Sequence, residues 1–489
     1  MVSEQQELSP LAKQARDEVR SFYEANHDQL ARAREKRSYY YDYLSRVLKA
    51  RVAPGQRVLE IGCGSGDLLA AVSPSFGVGI DLSGKAVAAA RARHPELHFF
   101  EGDACEAATL TQARGPFDVI LIVNVLTFLG DVRRLFDILH LVSHSKTRII
   151  IYSYSRLWQP VLRLAEVLGL KQAPPADSWI PQEEVNTMLH LADWDVVRED
   201  RQLVFPVYIP LLSEVLNRWV GHLPMVDALS LMFGMVARPR LARHPGSMKS
   251  EPSVSVIIPC RNEEGHIAPM VARLPTLAPN SEYLFVEGGS KDGTEAAIQK
   301  AIADNPDKPL RFLKQTGKGK GDAVRVGFGK ATGDVLMILD ADLTVPPEEL
   351  PKFYDVMVQG KSDYVHGTRL VYPMESEAMR FLNKLGNIGF SKIFSFLLNQ
   401  PIKDTLCGTK VLWAKDYARL AANRSYFGDF DPFGDFDLIF GATKLNLKIL
   451  EIPIRYRDRT YGETNISRFR HGWMLLQMSA VAATKLKFI

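Results

Sequence analysis

The chain has 489 residues, 46% of them hydrophobic and 24% charged, ordinary proportions for globular protein and too many residues for one core, so two domains of roughly 240 residues each are expected. A formal net charge of +4 is small for this length and argues against a nucleic-acid binder, while leaving room for an anionic ligand or a membrane surface. Four dispersed cysteines without a CxxC pair, a polar N-terminus and no apolar run of about 18 residues together predict a cytoplasmic protein with no zinc site, disulfide framework or spanning helix.

Residues 1–50 mix charge with aromatic residues at helical spacing, including the cluster Tyr39, Tyr40, Tyr41 and Tyr43. Apolar runs at 57–61, 77–81, 97–101, 117–123 and 147–152 then alternate with helix-like segments, the pattern of a doubly wound parallel sheet. Segments 194–207 and 229–237 are expected to add a last, antiparallel pair. The Pro-, Gly- and charge-rich stretch 241–252 predicts a linker. Domain boundaries at 1–240 and 253–489 follow. Fresh strands are expected at 254–258, 283–287, 310–314, 335–339 and 363–367, so the second half is also α/β.

Gly62, Gly64 and Gly66 follow the first strand and precede a helix. Glycine there lets the backbone approach a ligand, and the helix N-terminus adds favourable amide dipoles. Asp81 ends the second strand, where a carboxylate can accept hydrogen bonds from ribose hydroxyls. Asp103 follows the third and is placed to accept from an adenine amino group. Asn124 follows the fourth, at the carboxyl edge where such sheets bind ligands. This run of strand ends resembles the class I S-adenosylmethionine (SAM)-dependent methyltransferases over about residues 20–240, with Glu60, Gly62, Gly64 and Gly66 fitting their first motif. The resemblance implies a Rossmann-like sheet binding SAM, with Glu60 near its methionine part, Asp81 on the ribose and Asp103 by the adenine. Two readings of Tyr39–Tyr43 stand side by side: a lid that closes over the cofactor, or a stripe that packs a helix onto the sheet. His140, His144 and His190 are candidate bases by residue type alone.

In the second half, Pro259, Arg261 and Glu263 end one strand, and Glu287 with Gly288-Gly289-Ser290 ends the next. Both turns should meet at the carboxyl edge, a natural nucleotide pocket. Gly317–Gly321, with Lys318 and Lys320, suits a phosphate. Leu339-Asp340-Ala341-Asp342 is a strand that delivers two carboxylates into a turn. A hard divalent cation, Mg or Mn, wants such oxygens and can bridge them to the two phosphates of a sugar donor. These motifs resemble glycosyltransferase family 2, with its GT-A fold, over roughly 253–470, and particularly the dolichyl- and polyprenyl-phosphate sugar synthases.

The resemblance implies that Pro259, Arg261, Glu263 and Glu287 line a nucleoside pocket, that Lys320, Asp340, Arg369 and Arg459 hold the nucleotide sugar, and that Asp340 and Asp342 hold metal. It further implies an inverting displacement, with Asp435 as general base and Asp437 as its substitute. Where many members carry two adjacent acids this chain has Glu287-Gly288. The expectation is a bifunctional enzyme, methylating from SAM and moving a sugar from a UDP- or GDP-sugar to a glycan, lipid-phosphate or small-molecule acceptor. The alternative is one active glycosyltransferase with a non-catalytic SAM-binding docking or sensing module. Apolar stretches 381–398 and 471–489 leave peripheral membrane association open.

Overall fold

The computed structural model describes residues 9–169, 172, 178–240, 251–372, 381–423, 436–457, 461 and 468–488. The chain divides into two compact units, Met1–Ser247 with Phe488–Ile489, and Met248–Lys487. Most of the stretch read as a linker, 241–250, lies outside the described residues.

The front unit is a seven-stranded sheet of β1 (Arg57–Ile61), β2 (Phe76–Asp81), β3 (His98–Glu101), β4 (Phe117–Val123), β5 (Ser143–Tyr154), β6 (Trp194–Gln202) and β7 (Met232–Pro239), in the order β3-β2-β1-β4-β5-β7-β6. The first five strands are parallel, and β7 runs antiparallel to both β5 and β6. Strands covered on both faces read as continuous apolar runs, and alternation sends neighbours to opposite cores. Leu59, Ile61, Ile120, Ile122, Ile149 and Ile151 fill one face, while Val58, Val119, Leu121 and Ile150 fill the other. The strand order reverses between β1 and β4, so the ligand crevice belongs at their carboxyl ends. Ahead of β1 lie α1 (Pro10–Ala25), α2 (His27–Lys36) and α3 (Ser38–Arg51). Ser9 caps α1 by accepting from the Ala12 amide at 3.2 Å, with Pro10 at the first helical position. β5 begins four residues earlier than its apolar core suggests, because Ser143–Lys146 extend the strand without looking hydrophobic.

The rear unit holds β8 (Val254–Cys260), β9 (Glu282–Glu287), β10 (Leu310–Lys314), β11 (Val335–Ile338), β12 (Tyr364–Thr368), β13 (Lys410–Trp413) and β14 (Ile449–Pro453), in the order β10-β9-β8-β11-β13-β12-β14. β8 to β11 are parallel, with the reversal between β8 and β11. β13 is inserted antiparallel between β11 and β12, and β14 pairs parallel with β12. Sequence reasoning did not anticipate β13 or β14, since four or five residues carrying a lysine or a glutamate show too little alternation to stand out. Val256, Ile258, Phe285, Met337, Val365 and Val411 form the core. Among the described residues no helix is long and apolar enough to cross a membrane.

Candidate active sites

In the front unit, β1 runs into a turn through Gly62, Gly64 and Gly66 and then into α4 (Asp67–Ala71). Gly62 and Gly66 have φ of +69° and +75°, and a Cβ there would meet Val125 or the Phe99 ring at 2.6 Å. Both position and conformation therefore demand glycine. At Gly64 the nearest atom to such a Cβ is Arg34 Nη1, 4.0 Å away. Asp81 grips this turn from β2, its Oδ2 accepting from the Gly64 amide at 2.8 Å and its Oδ1 from the Ser83 amide at 2.9 Å. Burial raises Asp81 above the ordinary carboxylate range even so.

Glu60 is 2% exposed and accepts from the Leu69 amide at 3.1 Å. Burial pushes its carboxyl up to about 8, only partly offset by the charge of Arg34 and by that amide. Asp103 is buried and accepts from the Cys105 amide at 2.8 Å, with Arg16 of α1 3.9 Å away. Asn124 has φ of +55°, tolerable for asparagine. Its side-chain amide donates to the Tyr40 hydroxyl at 2.6 Å, and its Oδ1 is buried without a partner.

The structure separates the tyrosine cluster. Tyr40 and Tyr43 are core residues, and the Tyr43 hydroxyl donates to Gln202 at 2.7 Å, so these two pack helix onto sheet. Tyr41 carries the Arg34 guanidinium over its ring at 4.0 Å, and Arg34 also pairs with Asp67 at 3.1 Å. Tyr23 of α1 is raised by burial and by the charge of Asp81, which places a second tyrosine near this edge. Tyr41 belongs to the cluster that sequence reasoning had singled out, whereas Arg34 and Tyr23 are the groups it missed. Their signal was limited to lying on helices ahead of the glycine turn. All three candidate histidines lie at the opposite, amino edge. His140 contacts the Ala192 carbonyl and stacks on Trp194, His144 pairs with Asp118, and His190 meets Arg240.

In the rear unit the turns after β8 and β9 are laced together. The Asn262 amide donates to Ser290 Oγ at 3.0 Å, and Asn262 Oδ1 accepts from the Lys291 amide at 2.8 Å. Pro259 is half-buried near the end of β8, and Arg261 beyond it is exposed. Glu263 is held by His266 at 2.7 Å. Glu287 is 1% exposed; one carboxylate oxygen accepts from the Ser290 amide at 2.5 Å, and Oε2 is buried with no partner. Burial raises this carboxyl, but hydrogen bonds from Ser290 and Gly289 outweigh it and hold the group below its ordinary range.

Asp340 leaves β11 into an ion pair with Lys320, which starts the helix Lys320–Lys330, at 2.6 Å. Although burial opposes it, Lys320, Lys410 and Arg369 together lower Asp340. A Cβ on Gly408 would strike both Asp340 and Lys320, so the backbone of the loop 404–410 lies directly against the pair. Asp342 turns its Oδ1 to Thr344, accepting from the amide at 3.1 Å and the hydroxyl at 2.7 Å.

Arg369 does not stand free for a phosphate. It makes a bidentate pair with Asp404 at 2.7 and 2.8 Å, is 8% exposed, and covers Tyr456 at 5.0 Å. Asp404 is correspondingly held far below the usual carboxylate range, chiefly by Arg369 against the effect of burial. Lys410, 1% exposed with its ammonium on the Cys407 carbonyl, is a buried cation by Asp340 that sequence reasoning passed over. Asp437 opens the helix Phe436–Lys444. Asp435 and Arg459 lie outside the described residues.

Among the described residues no three His, Cys, Asp or Glu side chains gather around one point. Because Asp340 is committed to Lys320 and one Asp342 oxygen to Thr344, these groups do not form a protein-built metal cage. They fit a hard cation only where most of its oxygens come from a diphosphate and water.

Residues 59–144 match the family model of a methyltransferase domain, and residues 255–419 match that of glycosyl transferase family 2. The chain is 29% identical over 219 residues to a dolichyl-phosphate hexose transferase of Haloferax volcanii, covering 45% of this chain and 89% of that protein. It is 31% identical over 217 residues to a dolichol-phosphate mannosyltransferase of Pyrococcus furiosus, covering 44% and 59%. With an undecaprenyl-phosphate 4-deoxy-4-formamido-L-arabinose transferase of Aeromonas hydrophila it shares 36% identity over 111 residues, covering 22% and 34%. The chain thus spans under two thirds of the length of the last two relatives. Each matched region falls on one of the two sheets, so the chain carries a glycosyl transferase family 2 domain behind a methyltransferase domain in sequence.

Proposed function

We propose that both units are active: the front transfers a methyl group from SAM, and the rear transfers a sugar from a UDP- or GDP-sugar to a glycan, lipid-phosphate or small-molecule acceptor. The working domains are taken as 1–240 and 253–489, joined by 241–252. One observation carries the reading. Each sheet leaves a buried acceptor oxygen without a partner at its switch-point edge, Asn124 Oδ1 in front and Glu287 Oε2 behind. An unmet buried acceptor costs about 1–3 kcal/mol, and a ligand N–H or O–H would relieve it.

In front, SAM supplies an electrophilic methyl group. Asp81, already oriented by two backbone amides, accepts from the ribose, Asp103 from the adenine amine, and Glu60 faces the methionine ammonium beside the Gly62–Gly66 turn. Arg34 and Tyr41 cover that turn. Transfer breaks the sulfur–methyl bond and forms an oxygen– or nitrogen–methyl bond; the acceptor loses its proton and S-adenosylhomocysteine departs.

In the rear unit, Glu287 with Pro259, Arg261 and Glu263 holds the nucleoside, and Lys320 turns from Asp340 to the diphosphate. Asp342, and Asp340 once Lys320 has moved, would bind a divalent cation together with the phosphates, where it would neutralise the departing nucleoside diphosphate. The acceptor oxygen attacks the anomeric carbon as the bond to the diphosphate breaks. An alcohol acceptor needs a base, for which Asp435 or Asp437 is proposed; a phosphate acceptor is already anionic. Arg369 positions the loop 404–410 through Asp404, and Arg459 is kept as a diphosphate contact. The lipid-phosphate arm draws on the dolichyl- and undecaprenyl-phosphate transferases among the relatives. Peripheral attachment through 381–398 and 471–489 belongs with that arm.

The test is a donor screen with mass-spectrometric detection of product, run beside calorimetric titration with SAM. Donor turnover with no SAM heat would leave the glycosyltransferase alone active and remove the methyltransferase reading. SAM heat without any methylated product would favour the docking or sensing role.

A further inference from the structure

We propose that the front unit docks on an anionic lipid bilayer through an apolar surface at its carboxyl edge, and takes a lipid-anchored methyl acceptor there. This deepens the methyltransferase reading above and depends on it for the acceptor, though not for the docking.

The helix Gln159–Val167 follows the carboxyl end of β5. Trp158 and Leu162 pack on the sheet. Leu157, Val161, Leu164 and Leu168, spaced as one helical stripe, are 56%, 53%, 59% and 63% exposed. A second apolar stretch connects β6 to β7. Its turns raise Leu211 and Met225 to 83% and 85% exposure, both with positive φ, +65° and +73°. Large apolar side chains on strained turns are costly to maintain in water.

Topology joins the two stretches. Tyr154 at the end of β5 and Gln202 at the end of β6 both face Met232 at the start of β7. The Ser155 amide donates to the Leu231 carbonyl at 2.7 Å, and the Trp158 indole to the Leu229 carbonyl at 2.8 Å. β4 and β5 are parallel to β1, so this surface borders the same edge as Gly62–Gly66, Asp81 and Asn124.

Charge selects the occupant. Arg156 and Arg163 flank the stripe and are exposed, which suits anionic headgroups. Leu211 stands with exposed Val207, Tyr208, Ile209 and Leu212, so the second stretch, like the first, offers apolar side chains to an acyl layer. An acceptor anchored in that layer would reach the methyl-transfer edge without leaving the membrane.

The full chain is floated with vesicles of phosphatidylcholine plus phosphatidylglycerol, and with phosphatidylcholine alone. Wild type is expected to float on the mixed vesicles, and Leu164→Glu with Leu168→Glu to lose most of the bound fraction. A local probe separates this surface from apolar helices elsewhere in the chain. The four native cysteines are buried, so Leu164→Cys can carry an environment-sensitive dye, whose emission should shift to the blue on mixed vesicles. Unshifted emission overturns the proposal, as does flotation unchanged by the double substitution, or a wild-type dimer that the same substitution makes monomeric. SAM titration of the double variant keeps the two readings apart: lost docking with retained SAM heat supports the proposal, and wild type that docks without binding SAM removes only the methyl acceptor.

Discussion

The two carboxyl edges use acids in opposite electrostatic settings. In front, Glu60 is buried among backbone amides, with Arg34 its chief cationic neighbour, and its carboxyl is pushed up to about 8. Behind, Asp340 is also shielded, yet Lys320, Lys410 and Arg369 hold it low. Burial alone raises an acid, and clustered cations reverse the sign. An edge built from amides and a reluctant acid suits a ligand that brings its own positive charge. An edge rich in cations suits a diphosphate, with the acids there keeping the cations in place until the ligand arrives.

The sharpest way to break this contrast is Asp342→Ala. Sugar transfer should fall about 10²–10³-fold, the scale of losing one electrostatic contact to developing charge, with SAM heat unchanged. A loss of both activities, or of neither, would end the division of labour between the edges. Next in size is Asp404→Asn, which leaves the Arg369 guanidinium buried without its bidentate partner. The rear unit should lose about 3–5 kcal/mol in urea unfolding. Because the folded-state carboxyl of Asp404 is depressed, its stabilisation is present at neutral pH and fades as pH falls through that low value. The variant should flatten the acid limb of the stability curve.

The ease of reading the two edges from sequence differs for the same physical reason that their chemistry differs. The glycine turn after β1 and the Asp340-Ala341-Asp342 turn after β11 are local: a buried apolar strand stops, and polar or glycine residues follow immediately. Both sheets and most strands were legible on that basis. What surrounds those turns is not local. Arg34 and Tyr41 arrive on helices ahead of β1, and Arg369 is claimed by Asp404, 35 residues away. β13 is recruited by pairing with β11 and β12, and it carries Lys410 in beside Asp340. No pattern within a single segment marks a partner that only the folded register supplies.

Asp81→Ala sharpens the contrast from the front. It removes the acceptor that also orients the Gly64 and Ser83 amides, so SAM affinity should drop about tenfold to a hundredfold, equivalent to about 1.4–2.7 kcal/mol. Donor turnover by the rear unit should be unaffected. An unchanged SAM titration would dissociate the carboxylate from cofactor binding.

The last prediction tests the reason for the contrast most directly. With a folded-state value of about 8, above the ordinary carboxylate range, Glu60 keeps its proton in the folded chain at pH values where the unfolded chain has released it. Rising pH therefore favours unfolding across the interval from the ordinary value to about 8. Hydrogen exchange over residues 57–71, corrected for its intrinsic rate, should show less protection at pH 8 than at pH 5, and Glu60→Gln should abolish the trend. Bringing an ammonium group against Glu60 adds counter-charge beyond that of Arg34, so SAM binding near pH 7 should release up to about one proton. The release would appear as a dependence of the binding heat on the buffer's ionisation enthalpy. A heat independent of buffer in wild type would mean that no cation meets Glu60, and the front edge would then have to be read as recognising SAM through its ribose and adenine alone.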